Sequence, residues 1–199
     1  MMQGFINKAI QCFARDMYGD GLWRQVTDSA GLGYSNFEAM LDYPPDVTDR
    51  VLQELQSHLG KSRETLCEDL GTYLVSHPHM EALRRLLRFG GASFEEFLQS
   101  LDELPDKARL ALPEITLPSL SVRMIEPRFY CLRMGHGLPG FSLVMMGILR
   151  ALADDYGALV LLELLPGQTT DEIQITLADA EFSSGRSFDL SDGRQVAHG

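Results

Sequence analysis

The apolar residues of this chain change period partway along it, and that change restricts the fold more than any single motif does. As far as Leu104 they recur at helical spacing, and from Leu117 onward they alternate as in strands. Helices first, then strands around one further helix, is the pattern of an α+β domain. In the helical part, residues 4–17 place Phe5, Ile6, Ile10 and Phe13 on one face, with Gly19 and Gly21 expected to end the helix. A second helix is expected over 22–30, carrying Trp23 and Val26. Tyr43-Pro44-Pro45 is a hard stop, after which Asp46 or Thr48 can cap a helix over 49–59. Ser62 caps a helix over 62–76, residues 80–88 form a short basic helix, and Ser93 with Glu96 fits a capping box. The helix that follows carries Phe97, Leu98, Leu101 and Leu104 and is expected to stop near Pro105.

Strands are expected over 117–124 and 128–134, joined by a turn at Glu126-Pro127. An apolar helix over 141–155 and a hairpin of 158–165 with 172–177 complete the pattern. A polar stretch, 183–199, is expected to fray. The division expected is a helical subdomain over 1–62 and an αβ subdomain over 63–182, forming one domain overall. A chain of 199 residues fits that size.

Composition removes several function classes. The net charge of -11 disfavours nucleic acid, whose phosphates it would repel. The longest apolar stretch, 141–152, is interrupted by Gly147 and Arg150 and is too short for the roughly 18 residues of a membrane span. The first residues lack the basic-then-apolar pattern of a signal peptide, so the expected location is the cytoplasm. Cys12, Cys67 and Cys131 are odd in number and far apart, which reads as reduced thiols.

Four segments in register carry a family resemblance. These are Met2-Gln3-Gly4-Phe5-Ile6-Asn7-Lys8-Ala9 with Tyr18-Gly19 and Trp23; Phe94-Glu95-Glu96-Phe97-Leu98-Gln99-Ser100-Leu101-Asp102-Glu103-Leu104; Leu112-Pro113 with Leu117-Pro118-Ser119-Leu120; and Met145-Met146-Gly147-Ile148-Leu149. Together they resemble the haem-NO/O2-binding (H-NOX) sensor domains related to soluble guanylate cyclase. The resemblance implies a helical subdomain packed on a C-terminal antiparallel sheet with helices, enclosing haem b. It implies an iron-binding histidine after the Leu-Asp-x-Leu segment and a Tyr-x-Ser-x-Arg grip on the haem propionates. It also implies a signal passed to a histidine kinase, diguanylate cyclase or similar protein.

Both signature elements fail here. The iron-ligand position holds Pro105, which has no lone pair to offer. The propionate positions hold Met134, His136 and Leu138, and the lost arginine removes the bidentate carboxylate clamp. A gapped alignment would substitute Phe129, Cys131 and Arg133. The expectation is therefore a non-catalytic sensory domain without stoichiometric haem, acting by contact with a separate signalling protein. Its apolar cavity would be lined by Ile6, Ile10, Leu74, Leu101, Leu104, Pro105, Pro118, Met134 and Val144, and could take an apolar small molecule. Haem b is the cofactor if the family function is retained, and His77, His79, His136 or Cys131 would then have to supply an axial ligand. An enzyme on the same fold is a further alternative.

His77-Pro78-His79 invites a metal reading, but only Glu81 is close in sequence, and an exposed turn accounts for it. The loop Met134-Gly135-His136-Gly137-Leu138-Pro139-Gly140 could cradle an anion through backbone N–H groups, or simply turn the chain. The carboxylate pairs Asp154-Asp155 and Glu95-Glu96 are adjacent on helices and point apart, so they form no acid–base dyad.

Overall fold

The computed structural model describes residues 2–111, 116–135 and 137–185. His136, Leu112, Pro113 and the stretch 186–199 of the expected polar tail lie outside the described residues.

Helix α1 spans Met2–Ser29 and leaves helical geometry at Gly19 (φ 88°, ψ 161°), while Gly21 stays within the helix. The expected pair of helices is therefore present, joined at a kink where Gly19 adopts a positive φ that glycine takes without a Cβ penalty. Helix α2 (Asp46–Leu59) buries Val47, Val51, Leu52 and Leu55 and ends on Gly60 in the left-handed region, whose N–H donates to Gln56 O. Asp46 lies in its first turn, and the capping position falls to Pro45 without a side-chain bond. Helix α3 (Arg63–Ser76) is capped by Ser62, whose hydroxyl accepts from Thr65 N–H. A 3-10 turn over Pro78–Met80 leads into α4 (Glu81–Arg88).

Helix α5 (Phe94–Ser100) begins as expected, with Ser93 Oγ accepting from Glu96 N–H. The Glu96 carboxylate reaches back to accept from Ala92 N–H at 2.7 Å, a variant of the reciprocal cap. Beyond it the expectation needs correction. The chain makes a 3-10 turn over Leu101–Glu103 and then starts a new helix, α6 (Leu104–Ala111), with Pro105 in its first turn. Proline is tolerated there because the first helical N–H groups have no partner to lose.

Four antiparallel strands form one sheet in the order β1-β2-β4-β3. They are β1 (Leu120–Glu126), β2 (Phe129–Gly135), β3 (Leu159–Leu165) and β4 (Thr170–Asp179). The first strand starts three residues later than its pattern suggests, because Pro118 has no N–H for a ladder. The turn into β2 is made by Pro127 and by Arg128 at φ 66°. Between β2 and β3 runs α7 (Phe141–Tyr156), ten of whose sixteen residues are buried.

The described core has two clusters. One gathers α1, α2 and part of α3 around Ile10, Phe13, Trp23, Phe37, Leu55 and Tyr73. The other gathers α5, α7 and the sheet around Phe97, Leu98, Leu101, Leu132, Met134 and Leu149. Val144 packs against both. The two meet where α3 crosses α7, and the approach there is set by glycine. A Cβ on Gly71 would lie 2.0 Å from Val144 O, and one on Gly147 would lie 2.0 Å from Glu68 O. No helix among the described residues is long and apolar enough to cross a membrane.

The crossing predicts that Gly147→Ala destabilises the domain by about 3 kcal/mol, because the neighbour is backbone and cannot swing aside. Urea unfolding should show a lower midpoint at unchanged slope. A change within experimental error would mean the helices can part without cost.

Candidate functional site

The residues expected to line a cavity divide between the two clusters. Ile10 is buried in the helical cluster, with half-buried Ile6 and Leu74 packed on it. Leu101 and Met134 are each 1% exposed and belong to the sheet cluster, with half-buried Leu104 against them. Val144 lies between, Pro118 is buried, and Pro105 is half-buried beside Leu104. Leu101 and Leu104 also border a space of about 10 Å3 with Leu87 and Phe97, about the size of one water.

Haem held in the family manner does not fit these side chains. Pro105 can give no electron pair to iron, and its place in the first turn of α6 is one proline occupies without strain. Met134 is enclosed among apolar neighbours on the core face of β2, together with Tyr130 and Leu132. The gapped alternative fails on strand parity. Arg133 neighbours Met134 and so points to the opposite face of β2. It is 51% exposed, with Nε 2.7 Å from Glu172 Oε1. Cys131 shares that outer face, where its thiol donates toward Glu172 at 3.5 Å. Burial and then the Glu172 carboxylate push that thiol above its ordinary pKa, which disfavours the thiolate a metal requires.

Tyr130 carries an oxygen of ligating type on the core face of β2. Burial first, and then a hydrogen bond to Glu95, push its phenol up, so it is held neutral rather than as the anion that binds iron. Sequence reasoning missed this pairing, because Glu95 lies on α5 and reads as a solvated helix residue.

Beside Met134 opens a cleft of about 420 Å3, bordered by Gly135, Gly137, Leu138, Phe141, Ser142 and Asp171. Leu138 is half-buried there. Gly140 turns the chain in the left-handed region (φ 79°) as α7 begins. Asp171 puts a carboxylate on the wall, which weighs against the anion cradle considered for this loop.

The structure also brings together two histidines and a carboxylate that the sequence holds far apart. Nδ1 of His77 is 3.6 Å, and Nδ1 of His79 3.0 Å, from Asp16 Oδ2. Tyr73 donates to the same oxygen at 2.6 Å. Burial raises the Asp16 carboxyl, but the bonds from Tyr73 and His79 and the charge of both histidines outweigh it and leave the group below its ordinary value. His77 lies against the helical cluster, its ring 4.9 Å from that of Tyr73.

The Tyr130 environment predicts a particular alkaline response. The folded phenol releases its proton later than the unfolded one, so its contribution is complete below pH ~10 and is lost as pH rises further. Tyr130→Phe should cost about 0.5–1.5 kcal/mol at neutral pH. It should also give a shallower fall in stability above pH ~10 than the wild type shows in denaturant titrations. Parallel curves for the two proteins would place the tyrosine in water.

Known proteins share this arrangement of elements. Residues 3–163 match the family model described as Haem-NO-binding. Over 155 residues the chain is 21% identical to soluble guanylate cyclase 89Da of Drosophila melanogaster, covering 78% of this chain and 23% of that protein. It is 23% identical over 130 residues to soluble guanylate cyclase gcy-31 of Caenorhabditis elegans, covering 65% of this chain and 17% of that one. The chain therefore spans less than a quarter of the length of these relatives. Among solved structures, an H-NOX protein from S. oneidensis superposes with a TM-score of 0.75 at 14% identity, covering 89% of this chain and 97% of that one. An oxygen-binding H-NOX domain related to soluble guanylate cyclases gives 0.68 at 14% identity, covering 94% and 100%. At such identity the likeness to the structures is one of fold. The chain belongs to the haem-NO-binding family and has the α+β fold of its H-NOX domains.

Proposed function

We propose that this domain is a non-catalytic sensory module that holds no stoichiometric haem and signals by contact with a separate protein of the histidine kinase or diguanylate cyclase kind. The observation that carries the reading is Pro105 in the first turn of α6, where the family resemblance places the iron ligand. Met134 supports it, being packed into the apolar core at a position where the resemblance places a propionate contact. Several buried polar groups are engaged in local structure. Gln11 accepts from Phe37 N–H, Thr27 donates to Arg24 O, and Asp155 pairs with Arg84 at 2.6 Å. These bonds support a scaffold role for the groups that would otherwise suggest chemistry.

A second reading has one observation behind it. The 420 Å3 cleft bordered by Gly135 and Gly137 leaves room for an apolar small molecule or part of haem, and the sequence offers His136 as the axial ligand to test. The test separates the two readings. The protein is expressed with haem precursor, purified, and examined by absorption and native mass spectrometry. The expected result is no Soret band at one haem per chain. A stoichiometric band overturns the proposal, and its loss in His136→Ala would establish the second reading.

A further inference from the structure

The geometry points to a divalent-cation site of the Zn2+ class formed by Asp16, His77 and His79 on the helical side of the molecule. It is independent of haem and of the proposed signalling role. The ligand atoms of these three residues all lie within 4.8 Å of one another. Two imidazole nitrogens and one carboxylate oxygen form a donor set that suits Zn2+ and similar d-block ions. With metal–ligand bonds of about 2.05 Å, neighbouring ligands on a tetrahedron are separated by about 3.3 Å. The two distances to Asp16 Oδ2, 3.0 and 3.6 Å, bracket that value. The two imidazole nitrogens lie within 4.8 Å of each other, so a bound ion would draw the rings together.

Three features prepare the site. Asp16 comes from α1, and both histidines flank Pro78, which starts the 3-10 turn after α3. The turn fixes their spacing, with the rings 4.9 Å apart, and the long 3.4 Å contact from His79 N–H to His77 Nδ1 must open when that nitrogen binds an ion. Tyr73 donates to Asp16 Oδ2 and orients the carboxylate, the role usually taken by a hydrogen bond behind a metal ligand. On the open side is a cleft of about 470 Å3 bordered by Lys8, Gln11, Cys12 and Arg15, from which water can take the fourth position. Arg15 is turned to Asp20 and Asn36, and the chain as a whole carries a charge of -11, which favours a cation. A bound ion would join α1 to the corner between α3 and α4.

The test uses the untagged full chain, stripped of metal by chelator. Zn2+ is titrated by calorimetry, and Co2+ by visible absorption, where tetrahedral coordination gives distinct bands. One ion per chain is expected, with a rise in Tm of about 5–10 °C when free Zn2+ is a hundredfold above Kd. His79→Ala removes an exposed side chain and Asp16→Asn keeps the shape, so both should fold by circular dichroism. Each should weaken binding by about tenfold or more, while Cys12→Ser should bind as the wild type does. Absence of saturable binding, undiminished binding in His79→Ala and Asp16→Asn, or its loss in Cys12→Ser would each overturn the site. The carboxylate would then be an acceptor for imidazole N–H groups and nothing more.

Discussion

The close crossing of α3 and α7 is the constraint on which the other packing depends. Gly71 and Gly147 each meet a carbonyl of the opposite helix, at Val144 and Glu68, so the two backbones approach as closely as a missing Cβ permits. Thr72 Oγ1 donates to Gly147 O at 3.4 Å along the same seam, and Arg150 reaches Glu68 from its rim. Helix α3 can therefore serve two cores at once. Leu66, Leu70 and Tyr73 face the helical cluster, and Val75 faces the sheet cluster. Val144 does the same from α7. Any account of how one half responds to the other must pass through this contact, since interiors packed at crystal density transmit displacement instead of absorbing it.

Local chemistry made much of the fold legible in the sequence. Ser62 and Ser93 cap helices because a hydroxyl at that spacing satisfies an orphan N–H, and the signal lies within four residues. The alternation in β2 and the apolar run of α7 were equally readable, since burial of one face dictates them. The stop that Pro105 signals is present, since the helical geometry of α5 ends at Ser100, but the helix that begins at Leu104 is not legible. The same residue is compatible with a start, and the choice depended on the 3-10 turn of Leu101–Glu103, which has no sequence signature of its own.

The site was legible where absence could be read and illegible where distance intervened. That the resemblance sets Pro105 at the iron-ligand position, and Met134 and Leu138 at propionate positions, is read from residue identity. The outward placement of Arg133 was in principle visible too, by strand parity against Met134. Asp16 was not visible, since it is separated from His79 by 63 positions and no periodicity links them. Glu95 with Tyr130 is the same case, a pairing made by the packing of α5 on the sheet.

A family fold that stops holding a large cofactor faces an energetic problem, and the sheet cluster bears on its solution. An apolar void costs about 24 cal/mol per Å3, so about 400 Å3 left empty would cost about 10 kcal/mol. That is comparable to the whole net stability of a domain, about 5–15 kcal/mol. The space must then be filled by side chains or by another ligand. Leu101, Leu132, Met134, Met145 and Leu149 are each no more than 1% exposed and pack in one continuous cluster. Two of them are methionines, whose unbranched, polarisable side chains adapt to irregular gaps better than leucine or isoleucine does. Where the resemblance places a tyrosine, Met134 brings no hydroxyl that would need a partner in this apolar cluster. On the proposed reading, Pro105 at the iron-ligand position and the apolar packing around Met134 are two sides of one change.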